Sequence, residues 1–139
     1  GRPFDVLKLR TMVTGAEHMG AGLAISEGDT RITRVGRLLR RTSLDEVPNV
    51  INVLRGEMSL VGPRPLPVRD YKLLEDWHRA RYRVLPGMTG LWQISGRSGL
   101  SFDDLVRLDF TYLENWSIWL DVSILFKTPA AVFSQRGAY

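Results

Sequence analysis

Two adjacent carboxylates, Asp45 and Glu46, follow a run of basic residues that includes Arg40 and Arg41, and Arg64 stands between Pro63 and Pro65 further along. Positive neighbours hold a carboxylate in its ionised form, and an ionised aspartate can attack phosphorus covalently. A plainer reading competes, because the helix dipole favours acids in any first turn. Arg40, Arg64 and Arg97 share a second property, since each sits in a stiff or glycine-rich setting. A guanidinium matches phosphate through paired donors, and a stiff backbone keeps it aimed. Any one of them could simply solvate the surface; three such settings in one small chain weaken that reading. The two groups together point to phosphate chemistry. His18 and His78 lack partners at metal-ligand spacing and receive no role.

The elements that must position these residues can be read from periodicity. Residues 4–12 mix apolar and basic side chains in a short run, which predicts a strand. Residues 14–29 carry glycines at 15, 20, 22 and 28 and read as a loop. Ile32, Val35, Leu38 and Leu39 then recur at helical spacing, and Arg31, Arg34, Arg37, Arg40 and Arg41 on the same stretch make one side of this helix strongly basic. Val47, Val50, Ile51 and Leu54 form a second helical stripe that should face the core. Ser43 with Glu46 has capping-box spacing but sets Pro48 too deep in the helix. Asp45 as N-cap puts Pro48 at the third helical position, where a missing N–H costs little; either way both acids lie in the first turn. Gly56 is a natural stop.

Residues 58–61 are a short apolar stretch leading into Gly62-Pro63-Arg64-Pro65, which two rings make stiff. A helix is expected over 67–80, a turn at Pro86-Gly87, a strand over 91–94, and another turn over 96–99. Ser101 with Asp104 caps a helix carrying Phe102, Leu105, Leu108 and Tyr112. Residues 116–133 are apolar and aromatic, and Pro129 should kink or break them. Trp116 and Trp119 suit either a core or an interfacial anchor at a membrane.

Composition bounds these readings. With 139 residues, 44% hydrophobic and 24% charged, the chain fits one folded domain with a real core. Without cysteine it can build neither a disulfide framework nor a cysteine-based zinc site. A formal charge of +4 and a pI near 9.8 favour phosphate-bearing partners: nucleic acid, anionic membrane or phosphorylated small molecules. No apolar run approaches the roughly 18 residues needed to cross a bilayer. The expected fold is α/β (α+β, helix-rich), one compact irregular domain with several helices around a small strand element.

Longer strings narrow the choice. Lys8-Leu9-Arg10-Thr11-Met12, then residues 29–36, Ser43-Leu44-Asp45-Glu46-Val47-Pro48, residues 52–59 and Val61-Gly62-Pro63-Arg64-Pro65 occur in that order. Pro86-Gly87-Met88-Thr89-Gly90, Trp92-Gln93, Gly96-Arg97, Leu108-Asp109, Tyr112, Asn115-Trp116-Ser117 and Asp121 follow. This ordered set, over nearly the whole chain, resembles the bacterial sugar transferases that act as monotopic phosphoglycosyl transferases. The resemblance implies transfer of a sugar 1-phosphate from a UDP-sugar to polyprenyl phosphate, with release of UMP, as the first membrane step of polysaccharide or glycan assembly. It makes Asp45 the nucleophile of a covalent aspartyl intermediate, with Glu46 assisting, and implies Mg2+ at Asp45 and Glu46. It gives Arg40, Arg64, Arg97, Pro63, Pro65 and Gln93 to substrate binding. Residues 1–139 then represent the catalytic domain, lacking the upstream re-entrant membrane helix of the family. The implied location is the cytoplasmic face of the bacterial inner membrane, with a homo-oligomer admissible. Two rivals remain: a catalytically silent membrane-surface or assembly module of the same fold, and a basic nucleic-acid-binding module using 31–41. The second lacks a recognised motif, and acids at 45 and 46 would repel a nucleic-acid backbone.

Overall fold

A computed structural model describes residues 2–19, 28–71, 74–95 and 101–133. Its centre is a two-stranded parallel sheet, β1 (Ser59–Val61) beside β2 (Gly87–Thr89), with Ser59 opposite Gly87 and Val61 opposite Thr89. The pairing brings two backbones unusually close. A Cβ on Gly87 would overlap the Gly62 nitrogen, and one on Gly90 would overlap the Gly62 carbonyl oxygen. Glycine is required at these crossings by lack of space.

Helices cover this small sheet. α1 spans Arg34–Arg41, α2 Asn49–Leu54, α3 Val68–Tyr71, α4 Leu91–Ile94, α5 Phe102–Glu114 and α6 Ile118–Phe133. Val61 of β1, Tyr112 of α5 and Ile124 of α6 form the core, with Leu91, Ile94, Leu113 and Leu120 packed on it. Ser101 caps α5 by accepting from the Asp104 N–H at 3.2 Å. α6 continues through Pro129 instead of breaking there. Beside it the Thr128 hydroxyl bonds the Ile124 carbonyl at 2.8 Å and meets Thr89 Oγ1 at 2.8 Å, tying the helix to β2.

The helix-rich α/β class expected from the sequence is the one observed, but several elements differ. Residues 4–12 form no ladder; a single antiparallel bridge joins Met12 to Ile32, and the segment is held mainly by other groups. Asn52, wholly buried, accepts from the Leu7 N–H at 3.1 Å and donates to the Asp5 carbonyl at 2.8 Å. Gly36 lies so close beneath this segment that a Cβ would overlap the Thr11 carbonyl. Residues 91–94 are helical, and β2 occupies the place read as a turn at Pro86-Gly87. The helix expected over 67–80 is short α3 followed, beyond residues 72–73, by a 3-10 helix at His78–Arg83.

The largest correction concerns α2. Its apolar stripe faces outward, with Leu54 82% and Val47 52% exposed, while Asn49 and Asn52 are buried. The polar face turns inward because the extended segment over it needs hydrogen-bond partners that apolar side chains cannot supply. Asp45 is also not the helix cap. It lies in a 3-10 turn, Leu44–Glu46, and Pro48 occupies the cap of α2, where its missing N–H is not needed. Trp116 and Trp119 are exposed, so the core is not their place.

Replacing Gly87 with alanine should lower stability by about 1–3 kcal/mol, the usual cost of overpacking. The shift in denaturant midpoint reads it; an unchanged midpoint would contradict the close approach of residues 62 and 87.

Candidate active site

α1 ends in a sharp turn that presents the two carboxylates. Thr33 starts the helix by accepting from the Gly36 N–H at 2.9 Å, and Ser43 closes it with φ at 55°. A serine in the left-handed region stores backbone strain, a feature that clusters at functional sites. The turn is pinned through its main chain, since the Leu9 N–H donates to the Asp45 carbonyl at 2.9 Å. The extended N-terminal segment therefore serves as a ruler that fixes the dyad and delivers Lys8 beside it.

Glu46 joins three stretches of chain. Its Oε1 lies 2.7 Å from Lys8 Nζ and 3.6 Å from Arg64 Nη2. The Arg64 guanidinium stacks over Trp92 of α4, 5.0 Å from the ring centroid. Arg40 donates from Nε to Thr11 Oγ1 at 2.8 Å. Arg64 and Glu46 are part-exposed, with side chains 33% and 26% accessible, so a phosphate can reach them.

Asp45 sits in a contest of fields. Burial raises its pKa above the ordinary aspartate value, and the neighbouring Glu46 charge raises it further. Lys8 and Arg40 pull the other way. A partly desolvated carboxylate that still ionises between two cations is a better nucleophile than one fully hydrated in water.

The remaining sequence candidates divide. Pro63 is buried, with its carbonyl accepting from the Gly87 N–H at 2.9 Å, and Pro65 is half-buried. Both stiffen the chain on either side of Arg64. Gln93 is buried next to Trp92, with Nε2 at 3.5 Å from the Met88 carbonyl and Oε1 without a hydrogen-bond partner in the protein. Arg97 lies outside the described residues. Arg31 does not contribute to a basic helix face: its guanidinium is buried against Asp29 and the carbonyls of Ala16 and Met19. Lys8 is the functional neighbour to which sequence reasoning gave no role. Its only signal was its place in the Lys8–Met12 string, because its partner Glu46 is far away in sequence.

Among the described residues no cluster of three or more His, Cys, Asp or Glu side chains could hold a metal ion by itself. A pair of adjacent carboxylates is nevertheless the usual protein share of a magnesium site completed by substrate phosphates.

A family model described as bacterial sugar transferase matches residues 1–135. The undecaprenyl-phosphate galactose phosphotransferase of Salmonella typhimurium is 40% identical over all of this chain, which spans 32% of that protein. The UDP-glucose:undecaprenyl-phosphate glucose-1-phosphate transferase of Caulobacter vibrioides is 42% identical over all of this chain and 55% of its own length. The exopolysaccharide production protein ExoY of Rhizobium meliloti is 41% identical over all of this chain and 68% of its own length. The chain thus spans about a third of several relatives that it matches, the 32% of the Salmonella protein among them.

The charge contest around Asp45 has a direct test. In a carboxyl NMR titration, Asp45 should titrate above the ordinary aspartate range, lower in Glu46→Gln and higher in Lys8→Met. Shifts of the opposite sign would remove those neighbours as its dominant fields.

Proposed function

The chain belongs to the bacterial sugar transferase family, and we propose that it moves a sugar 1-phosphate from a UDP-sugar to polyprenyl phosphate. The observation that carries this reading is the convergence of Lys8, Arg64 and Glu46 beside Asp45 on a strained turn. A nucleophile flanked by cations suits a diphosphate substrate better than any other class.

In the proposed sequence an Asp45 carboxylate oxygen attacks the β-phosphorus of the UDP-sugar. The bond from that phosphorus to the bridging oxygen breaks, and UMP leaves with the electron pair. An oxygen of polyprenyl phosphate then attacks the same phosphorus and displaces the Asp45 carboxylate, giving a polyprenyl diphosphate sugar. Arg64 and Lys8 bind phosphate oxygens, and Arg40 helps keep Asp45 ionised. Asp45 and Glu46 would hold Mg2+, which when bound neutralises diphosphate oxygens. Glu46 also holds Lys8 and Arg64 apart at a fixed spacing until substrate arrives. Pro63 and Pro65 serve substrate binding by stiffening the chain on either side of Arg64. Gln93 with its unpartnered Oε1 is proposed as a substrate contact, and Arg97 as a further phosphate contact.

We place the protein at the cytoplasmic face of the inner membrane. Among the described residues no helix is long and apolar enough to cross a membrane. Surface contact is supported by α1, where exposed Val35 and Leu38 alternate with exposed Arg34, Arg37 and Arg41, and by the neighbouring stretch 47–55, where exposed Val47, Ile51 and Leu54 are followed by exposed Arg55. Apolar side chains interleaved with arginine suit an anionic lipid surface.

Incubation with UDP-glucose or UDP-galactose and magnesium should leave a sugar-phosphate adduct visible by intact-protein mass. Asp45→Asn should abolish it and lower UMP release at least about 1,000-fold. An adduct that persists in that variant would exclude Asp45, and none with any UDP-sugar would favour a silent module. Leu38→Asp with Leu54→Asp should weaken sedimentation with phosphatidylglycerol vesicles about 10-fold or more, since apolar burial drives such contact. Unchanged sedimentation would place the lipid contact elsewhere.

A further inference from the structure

The loop that carries Arg64 is fixed by far more than its two prolines. The Gly62 N–H bonds the Thr89 carbonyl at 2.9 Å, and the Pro63 carbonyl accepts from Gly87 at 2.9 Å. α5 acts on both ends of the same stretch. Tyr112 reaches the Val61 carbonyl with its hydroxyl at 3.4 Å. One turn earlier on that helix, Asp109 pairs with Arg81, Oδ2 to Nη2 at 2.5 Å, and the same nitrogen of Arg81 donates to the Arg64 carbonyl at 2.8 Å.

We propose that the buried Arg81–Asp109 pair is a positioning device for Arg64, setting its guanidinium through the Arg64 carbonyl so that it meets substrate phosphate. The proposal rests on the reading of Arg64 as a phosphate-binding residue. Neither member of the pair can touch substrate, since the Arg81 side chain is wholly buried and Asp109 is 3% exposed. Arg64 itself is the part that reaches out, over Trp92 and toward Glu46. A clamp on its main chain removes the freedom that a long side chain on a loop would otherwise keep, and small misplacement of a binding group is costly.

The pair is a poor device for stability alone. Two charges are taken out of water, and burial lifts the Asp109 carboxyl to about 6 in spite of Arg81 beside it. Buried pairs of this kind can often be replaced by apolar residues of similar volume with little or no loss of stability. What apolar residues cannot replace is the hydrogen bond to the Arg64 carbonyl. That difference separates a positioning role from a structural one.

The test uses titration calorimetry with UDP and magnesium on the wild type, Arg64→Ala, the double variant Arg81→Met with Asp109→Leu, and the triple combination, with melting curves for each. Arg64→Ala should weaken UDP about 10- to 100-fold, as expected for loss of a bidentate phosphate contact or its support. The double variant should melt near the wild type yet lose about 10-fold or more in affinity, and it should add little to Arg64→Ala. If the double variant fails to fold, Arg81→Lys keeps a cation near Asp109 but ends about one bond short of the Nη2 position that meets the Arg64 carbonyl, and it carries the same expectation. A folded double variant, or Arg81→Lys, with wild-type affinity would overturn the positioning role, as would losses that add in full to Arg64→Ala. An Arg64→Ala protein with unchanged UDP affinity would instead remove the underlying reading of Arg64, and the positioning role with it.

Discussion

Two backbones meet at Gly62, Gly87 and Gly90 at a distance that no side chain could share, and the rest of the site is arranged around that contact. Because the strands are so short, the sheet contributes little surface of its own. It acts instead as a hinge point fixed by main-chain bonds, from which the loop 62–65 projects with Pro63 and Pro65 on either side of Arg64. α4 leaves the other strand and puts Trp92 under the same arginine. One crossing of two chains thereby sets the guanidinium, its aromatic support and the orientation of both.

The carboxylates reach this wall from a separate direction. They ride on a turn between α1 and α2 whose position is set by the N-terminal segment, through the Leu9 bond to Asp45 and the bonds of Asn52 to residues 5 and 7. Glu46 is where the two halves touch, with Lys8 on one side and Arg64 on the other. Such partly exposed ion pairs add little to stability. Their value lies in charge placement: they hold cations close to a nucleophile whose own burial works against its ionisation.

The outward face of α1 and α2 follows from the same construction. Once Asn52 turns inward to serve the backbone over it, the stripe from Val47 to Leu54 must turn away. An amphipathic helix therefore shows its apolar side to the surroundings, next to arginines. α6 likewise leaves Trp119 and Phe126 largely exposed while Ile124 alone of its residues is fully buried. Exposed apolar surface on this scale has a use only if another phase or partner covers it.

Much of this was legible in order and in chemistry. The sequence by itself determined the helix-rich class, the capped start of α5 at Ser101, the stop at Gly56, the pairing of Asp45 with Glu46, and Arg64 as a stiffened cation. These depend on neighbours within a few residues, where turn and capping chemistry is local. Periodicity also found the α2 stripe, but it could not say which way the stripe faces, because that is decided by the 4–12 segment packed against the opposite side. The same limit hid Lys8, whose partner is 38 residues away, and the Arg81 bond to the Arg64 carbonyl across 17. It also hid β2, whose partner strand is distant in sequence and which reads alone as a turn. Only the tertiary structure decided these, since a buried charge or an inward asparagine is tolerable only where the fold supplies its partner.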